Sequence, residues 1–135
     1  MKNAKLLVTA MAIVLFSSGA SAQLTPKGGD SDKHGCKGSA GYTFSVIKND
    51  CVRLFEQSVQ LKEVDNRKSY TSNATIIFSE DGQKAELFLP ESNGSLILDK
   101  LASKKATVYK KGKYTLTKVK KAYTLKLANK TVFKS

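Results

Sequence analysis

The chain contains no tryptophan, one histidine, two prolines, two cysteines and no acidic residue after Asp99. The lone His34 stands in a polar stretch without a positioned partner, so a Ser-His-Asp or Cys-His arrangement is not expected. No G-x-S-x-G, H-E-x-x-H, P-loop or dinucleotide-binding motif occurs. Two cysteines and one histidine are too few for a structural zinc site. We therefore predict a protein that is not an enzyme, with no catalytic residues, no metal site and no cofactor.

The chain also lacks an apolar run of about 20 residues, the length that a membrane-spanning helix needs. Its longest apolar run, Leu6 to Phe16, follows Lys2 and Lys5 and precedes Ala20-Ser21-Ala22. This order is typical of a secretory signal peptide with an A-x-A cleavage site. We expect residues 1–22 to be removed, leaving a chain without a transmembrane span in the periplasm or outside the cell. An uncleaved N-terminal anchor is the alternative.

The two cysteines are expected to form one disulfide in an oxidising compartment, here between Cys36 and Cys51. A loop of this size would stabilise the fold by ~3 kcal/mol in the chain-entropy model. Residues 23–37 are polar, rich in glycine and without an apolar period, so we predict a flexible leader. The remaining residues, 38–135, are enough for one domain and too few for two.

From Tyr42 onwards, short segments rich in aromatic and β-branched residues alternate with turn residues. Asp81-Gly82 and Asn93-Gly94 each separate two such segments, which is the strongest short-range signal for a β-hairpin. Gly112 and the run Ala128 to Lys130 mark two further turns. The sequence therefore predicts an all-β domain with one disulfide, a small antiparallel meander that closes into a barrel or folds as a sandwich.

The stretch 51–64 is open to two interpretations. Asp50 could cap a helix with one apolar face. Phe55, Val59 and Leu61 also share a parity, which fits an extended strand. We favour the strand because every later segment is predicted to be β.

Charge is distributed unevenly along the chain, whose formal net charge is +12. Residues 23–99 carry nine bases and eleven acids, whereas residues 100–134 carry twelve lysines and no acid. One interpretation is a solvated sheet face on which lysines also protect exposed strand edges. The other is a binding surface for an anionic envelope polymer or lipid. The residues assigned to that anion-binding surface are Lys104, Lys105, Lys110, Lys111, Lys113, Lys118, Lys120 and Lys121.

Nucleic acid is not expected as a partner. The protein is expected to be exported, and nucleic-acid recognition usually recruits arginine and exposed aromatic side chains. The only arginines are Arg53 and Arg67, both outside the lysine-rich region.

The other polar residues are predicted to have local structural roles or to be solvated. Arg53 and Glu56 are predicted to pair with each other, with contact to a ligand as the alternative. His34 and Glu86 are predicted to be solvated. Three N-x-[ST] sequons, which matter only in a host that glycosylates them, begin at Asn73, Asn93 and Asn129.

Two segments carry a resemblance to small exported bacterial proteins. Cys36-Lys-Gly-Ser-Ala-Gly-Tyr-Thr-Phe-Ser and Cys51-Val-Arg-Leu-Phe-Glu56 resemble their motif of Cys, Gly-Tyr-Thr-Trp, then Cys-Ile/Val-Arg-x-Phe/Trp-Glu. Phe44 stands where that motif usually has Trp. The resemblance implies an exported protein and no particular activity.

The C-terminal half carries a second resemblance. Ala85-Glu-Leu-Phe-Leu, Leu96-Ile-Leu and Tyr109-Lys-Lys-Gly112 are similar in pattern to the membrane-bound C-type lysozyme inhibitor family. This resemblance implies a small periplasmic antiparallel barrel that blocks lysozyme with a loop bearing Ser and Lys. Ser103 and Lys104 are the nearest equivalent here, although the family's Ser-Gly loop and its cysteine arrangement have no counterpart.

These observations predict a non-enzymatic exported binding protein. Its expected partner is an anionic envelope polymer or lipid, bound by the lysine-rich C-terminal surface. The alternatives are a lysozyme-inhibitor-like protein that blocks a secreted hydrolase, and a structural or accessory envelope protein.

Overall fold

The structure is a computed structural model, and it describes residues 30–65 and 67–135. The predicted signal peptide, residues 1–22, and the first part of the predicted leader, residues 23–29, lie outside the described residues. Within the described ranges, no helix has the length and apolar character required to cross a membrane.

Antiparallel strands dominate the described residues, with two short 3-10 helices, η1 (Gly38–Ala40) and η2 (Leu54–Glu56). The strands are β1 (Tyr42–Ser45), β2 (Asp50–Arg53), β3 (Val59–Glu63), β4 (Asn73–Phe78), β5 (Lys84–Phe88), β6 (Ser95–Leu101), β7 (Thr107–Lys111), β8 (Tyr114–Val119), β9 (Ala122–Leu127) and β10 (Lys130–Lys134).

Strands β3 to β10 form a closed barrel in which neighbours along the chain are also neighbours in the sheet. The ring closes where β10 pairs with β3, with Phe133 opposite Glu63 and Lys134 opposite Lys62. The predicted all-β meander is therefore confirmed, and it closes as a barrel rather than folding as a sandwich. The stretch 51–64 is extended, as favoured, except for the single turn η2.

The predicted turn residues connect the barrel strands. Gly82 and Gly94 have φ angles of 67° and 102°, which residues with a Cβ rarely adopt. Each therefore permits the chain to reverse between two paired strands, β4 with β5 and β5 with β6. Strand β5 ends at Phe88, shortly before Pro90, which has no N–H to donate to a sheet.

Alternate side chains of the barrel strands point inward and form the core. The most deeply buried of them are no more than 2% exposed, and each large one stabilises the fold by roughly 1.5–3 kcal/mol. These residues are Leu61, Ala74, Ile76, Ala85, Leu87, Leu98, Leu116 and Leu125.

The two ends of the barrel differ. At the end formed by the β4–β5, β6–β7 and β8–β9 connections, the ring of Phe78 lies 5.4 Å from that of Tyr109 and 5.8 Å from that of Tyr123. The Tyr109 hydroxyl donates a hydrogen bond to the Gly82 carbonyl at 2.9 Å. Burial raises the pKa of the Tyr109 phenol. We call this the closed end, and we call the opposite end the mouth.

The β1–β2 hairpin lies against the outer face of the barrel. Val52 of the hairpin packs with Ile77 of β4 and Phe88 of β5 in a second apolar cluster. The predicted disulfide between Cys36 and Cys51 is confirmed, and it ties the segment before the hairpin to β2.

Residues 30–37, at the end of the predicted leader, form a compact turn. The Asp32 carboxylate accepts hydrogen bonds from the backbone N–H groups of His34 at 2.8 Å and of Cys36 at 3.0 Å. These bonds hold the pKa of Asp32 below its usual value, led by the bond from Cys36. The exposed His34 ring stacks on Phe44, with 3.7 Å between ring centroids. Local hydrogen bonds and the disulfide therefore hold residues 30–37 together, although the segment has no periodic apolar residues.

Candidate functional site

Two features of the barrel are candidate sites, a lysine-bearing wall and the cavity at the mouth. The wall consists of β7, β8, β9 and β10, four consecutive neighbours in the closed sheet, with their connecting turns. Residues 107–135 contain nine lysines and no acid. We call this region the lysine half.

The residues predicted to bind anions divide between the two ends of the barrel. Those in the β6–β7 loop, at the end of β8 and in the β8–β9 turn lie at the closed end. Those at the end of β7 and in the β7–β8 turn lie toward the mouth. The first group is Lys104, Lys105, Lys118, Lys120 and Lys121, and the second is Lys110, Lys111 and Lys113. Except for the half-buried Lys118, whose Nζ lies 5.4 Å from the Tyr123 ring centroid, all are exposed.

The strand register separates the lysines of the lysine half from one another. Lys126 lies opposite Thr115 on β8 and Thr131 on β10, and Lys110 also lies opposite Thr115. No lysine pairs directly with another lysine between β7 and β10 in the described register. Because like charges directly opposite each other are destabilising, this spacing limits repulsion within β7 to β10, whereas at the border with β3 Lys134 lies opposite Lys62.

Ion pairs lie outside the lysine half. Among the described residues the salt bridges are Arg53–Glu56, Arg67–Asp65, Lys68–Glu63, Lys68–Glu91 and Lys84–Asp99. None of them includes a lysine that follows Asp99. The hydrogen bond and charge of Lys84 hold the pKa of Asp99 below its usual value, with a smaller contribution from the charge of Lys111. No lysine of residues 107–135 therefore forms an ion pair with a described acid, although Lys110 lies opposite Asp99 of β6 in the sheet.

The predicted pairing of Arg53 and Glu56 is confirmed at 3.1 Å. The Arg53 guanidinium also lies 4.6 Å from the Tyr42 ring centroid, across the β1–β2 hairpin. Both partners of the pair are substantially exposed, so its contribution to stability is about 0–1 kcal/mol. Its structural setting is the hairpin rather than either candidate site.

The mouth contains a cavity of about 530 Å³. Its apolar lining is Leu89, Pro90, Leu96, Tyr114, Leu127, Val132 and Phe133. Its polar lining includes Glu63, Lys68, Ser72, Glu91, Ser92, Asn93 and Ser95.

Glu63 is the most enclosed charged group of that lining, with its side chain 14% exposed. Its Oε1 lies 3.1 Å from Lys68 Nζ, which also lies 3.6 Å from Glu91 Oε1. The hydrogen bond to Glu63 raises the pKa of Lys68. The other oxygen, Glu63 Oε2, is buried and has no hydrogen-bond donor among the described residues.

Glu86 is buried, so the prediction of a solvated side chain is wrong. The hairpin covers the outer face of β5, where alternation alone would leave this carboxylate in water. Oε1 accepts bonds from the Val46 N–H at 2.8 Å and the Ser95 hydroxyl at 2.5 Å. Oε2 accepts bonds from the Ser45 hydroxyl at 2.6 Å and the Ile47 N–H at 3.1 Å. Glu86 therefore fastens the hairpin to the barrel.

The residues predicted to form an inhibitory loop, Ser103 and Lys104, are both exposed in the β6–β7 loop at the closed end. The sequon asparagines are exposed as well, at the start of β4 and in the β5–β6 and β9–β10 connections. They are Asn73, Asn93 and Asn129.

Sequence inspection missed Glu63 as a site residue. The signal was present, because Val59, Leu61 and Glu63 share the parity that points into the barrel. Lys68 could not have been found in this way, since its place over the mouth depends on the course of the β3–β4 connection.

In comparisons with known proteins, no family model, no curated protein and no solved structure matches the chain. Across residues 30–65 and 67–135, no group of three or more His, Cys, Asp or Glu side chains is arranged to hold a metal ion. The two resemblances noted in the sequence remain predictions.

Proposed function

We propose that this protein is a non-enzymatic exported binding protein whose lysine half contacts an anionic polymer or lipid of the cell envelope. The observation that supports the proposal is the concentration of positive charge in β7 to β10 and their turns, where nine lysines have no acid among them and form no ion pair with a described residue.

The closed barrel supports this interpretation over edge protection. Lysines on a sheet edge prevent unwanted pairing with other chains, but a closed barrel has no open edge to protect. Edge protection therefore does not account for the lysines of β7 to β10, which leaves a solvated face or a binding surface.

The chemistry of lysine indicates what kind of partner fits. An ammonium group is a compact and strongly hydrated charge, and it lacks the planar fork with which arginine selects a particular anion geometry. A surface built from lysines and threonines therefore favours a dense array of anionic groups over one specific small anion. Phosphate and carboxylate groups of envelope lipids and polymers provide such an array.

The lysine half can be tested by removing two of its charges. We expect Lys121→Gln/Lys126→Gln to weaken binding to vesicles containing phosphatidylglycerol by roughly 30-fold, since each lysine near an anionic surface contributes about 1 kcal/mol. Vesicle co-sedimentation as a function of salt measures this effect. A heparin column serves as the polymer probe, so that the two arms distinguish a lipid from a polymer.

The matched control is Lys33→Gln/Lys37→Gln, which removes the same charge from exposed lysines outside the lysine half. We expect this control to bind nearly as well as the unaltered protein. Equal weakening by both variants would mean that net charge alone is responsible. No retention on either probe at low salt would leave the lysines as a solvated face.

Inhibition of a cell-wall hydrolase is the second candidate, because Ser103 and Lys104 are both exposed on one short loop. If this candidate is correct, excess protein will stop the clearing of a bacterial suspension by lysozyme, and Ser103→Ala/Lys104→Ala will restore clearing. Undiminished lysis at excess protein would remove the candidate. Inhibition that Ser103→Ala/Lys104→Ala leaves intact would assign the effect to another surface.

A further inference from the structure

The interior of the barrel is closed at one end and accessible at the other. Three aromatic rings pack together at the closed end, whereas the mouth holds a cavity of about 530 Å³. This volume falls within the range of roughly 300–1,000 Å³ typical of small-molecule sites, which often occur in the mouths of β-barrels.

Half of the residues that line this cavity are apolar. Leu96, Tyr114 and Phe133 come from three different strands, so a ligand would be enclosed from several sides. Contact with these side chains favours an apolar body, because removing apolar surface from water contributes about 25 cal/mol per Å².

The charged groups that line the cavity determine which polar group a ligand must carry. Two carboxylates, Glu63 and Glu91, share the single ammonium group of Lys68. Glu63 Oε2 is buried and receives no hydrogen bond from any described residue. Because the two carboxylates outnumber the one ammonium group, this end of the cavity favours an incoming cationic N–H group. A ligand carboxylate would instead be repelled.

We propose that the mouth binds a small amphipathic amine, with its apolar chain against Leu96, Tyr114 and Phe133 and its ammonium group donating to the Glu63 carboxylate. This site differs in chemistry from the lysine half, since it selects a cation whereas the lysine half selects anions. The inference therefore does not depend on the function proposed above.

A series of probes with one chain length tests the chemistry of the site. Octylamine, octanol and octanoate carry the same apolar chain and differ in the end group. We expect octylamine to bind about tenfold or more tightly than octanoate, with octanol between them, because hydrogen bonds to charged groups are stronger than those between neutral groups. Titration calorimetry on the full chain, below the concentration at which each probe forms micelles, measures the three affinities.

The assay is run in about 1 M salt, where the screening length is ~3 Å and contacts of the exposed lysines with octanoate are suppressed. A partly buried contact such as that of Glu63 is screened much less.

Glu63→Gln tests the assigned contact. We expect this variant to reduce octylamine affinity about tenfold and to leave octanol affinity within about twofold of its original value. The matched control is Glu91→Gln, which removes the same charge from a rim carboxylate that is 77% exposed. We expect the control to change octylamine affinity by less than about threefold, because exposed ion pairs contribute little.

A second variant keeps the test decisive if Glu63→Gln does not fold. Leu127 lines the cavity and is 37% exposed, so Leu127→Trp can reduce the cavity volume without rebuilding the core. We expect Leu127→Trp to weaken octylamine and octanol equally. Octanoate binding as tightly as octylamine, or octylamine binding unaltered in Glu63→Gln and in Leu127→Trp, would overturn the proposal.

Discussion

Replacing Glu86 with alanine is expected to lower the free energy of unfolding by about 3–5 kcal/mol. The substitution deprives four donors of their acceptor, namely the N–H groups of Val46 and Ile47 and the hydroxyls of Ser45 and Ser95. Each buried donor left unsatisfied costs about 1–3 kcal/mol, reduced here because a detached hairpin turn would be rehydrated. Urea unfolding followed by circular dichroism measures the change.

Two further variants separate the carboxylate's hydrogen bonds from its charge and size. Glu86→Gln keeps the shape but leaves one N–H group facing another donor, so we expect a smaller loss of about 1–3 kcal/mol. Glu80→Ala removes an exposed carboxylate from the β4–β5 connection and should change stability by less than about 0.5 kcal/mol. A Glu86→Ala protein as stable as Glu80→Ala would contradict the anchoring role of Glu86.

Removal of the disulfide is expected to lower the free energy of unfolding by about 3 kcal/mol. The bond joins residues separated by 15 positions, and Cys36 is only 1% exposed. Cys36→Ala/Cys51→Ala therefore loosens the unfolded chain and also leaves a small gap under residues 30–37. Urea unfolding with and without reductant measures the effect, and reductant should not alter the double variant.

The part of the structure that removal of the disulfide destabilises can also be predicted. Hydrogen exchange should accelerate mainly in residues 30–53, while the barrel strands β7 to β10 keep their protection, because the disulfide touches only the hairpin side. Since Glu86 holds the same hairpin, combining its substitution with loss of the disulfide should be less than additive. Strict additivity, or equal loss of protection throughout the barrel, would contradict a shared role in holding the hairpin.

The strand order was predictable because its signals are local. Asp81-Gly82 and Asn93-Gly94 specify hairpins by their backbone freedom, and alternating apolar residues specify which side faces the core. Closure of the barrel was harder to predict from the sequence, because it depends on the pairing of β10 with β3, which are far apart in sequence. The choice between a barrel and a sandwich therefore needed the structure.

Other features were hidden for tertiary reasons. Lys120 and Lys121 form the β8–β9 turn, in which Lys120 has a positive φ of 55°. The turn contains neither Gly nor Asn, the residues by which such a turn is usually recognised in a sequence. Glu86 has the parity of a solvated residue, and only the packing of the hairpin shows otherwise. Of the two candidate sites, the charge of the lysine half could be predicted from the sequence. The cavity could not, because it exists only once the strands have formed a closed barrel.

The strand order of the barrel determines how the molecule would orient on an anionic surface. In the closed sheet, β4 and β5 lie across the barrel from β8 and β9, so the hairpin and the lysines occupy opposite flanks. This arrangement places the excess positive charge of the lysine half on the flank opposite the hairpin. A molecule drawn to an anionic layer would lie on its side, with the hairpin pointing away and the mouth opening parallel to the layer.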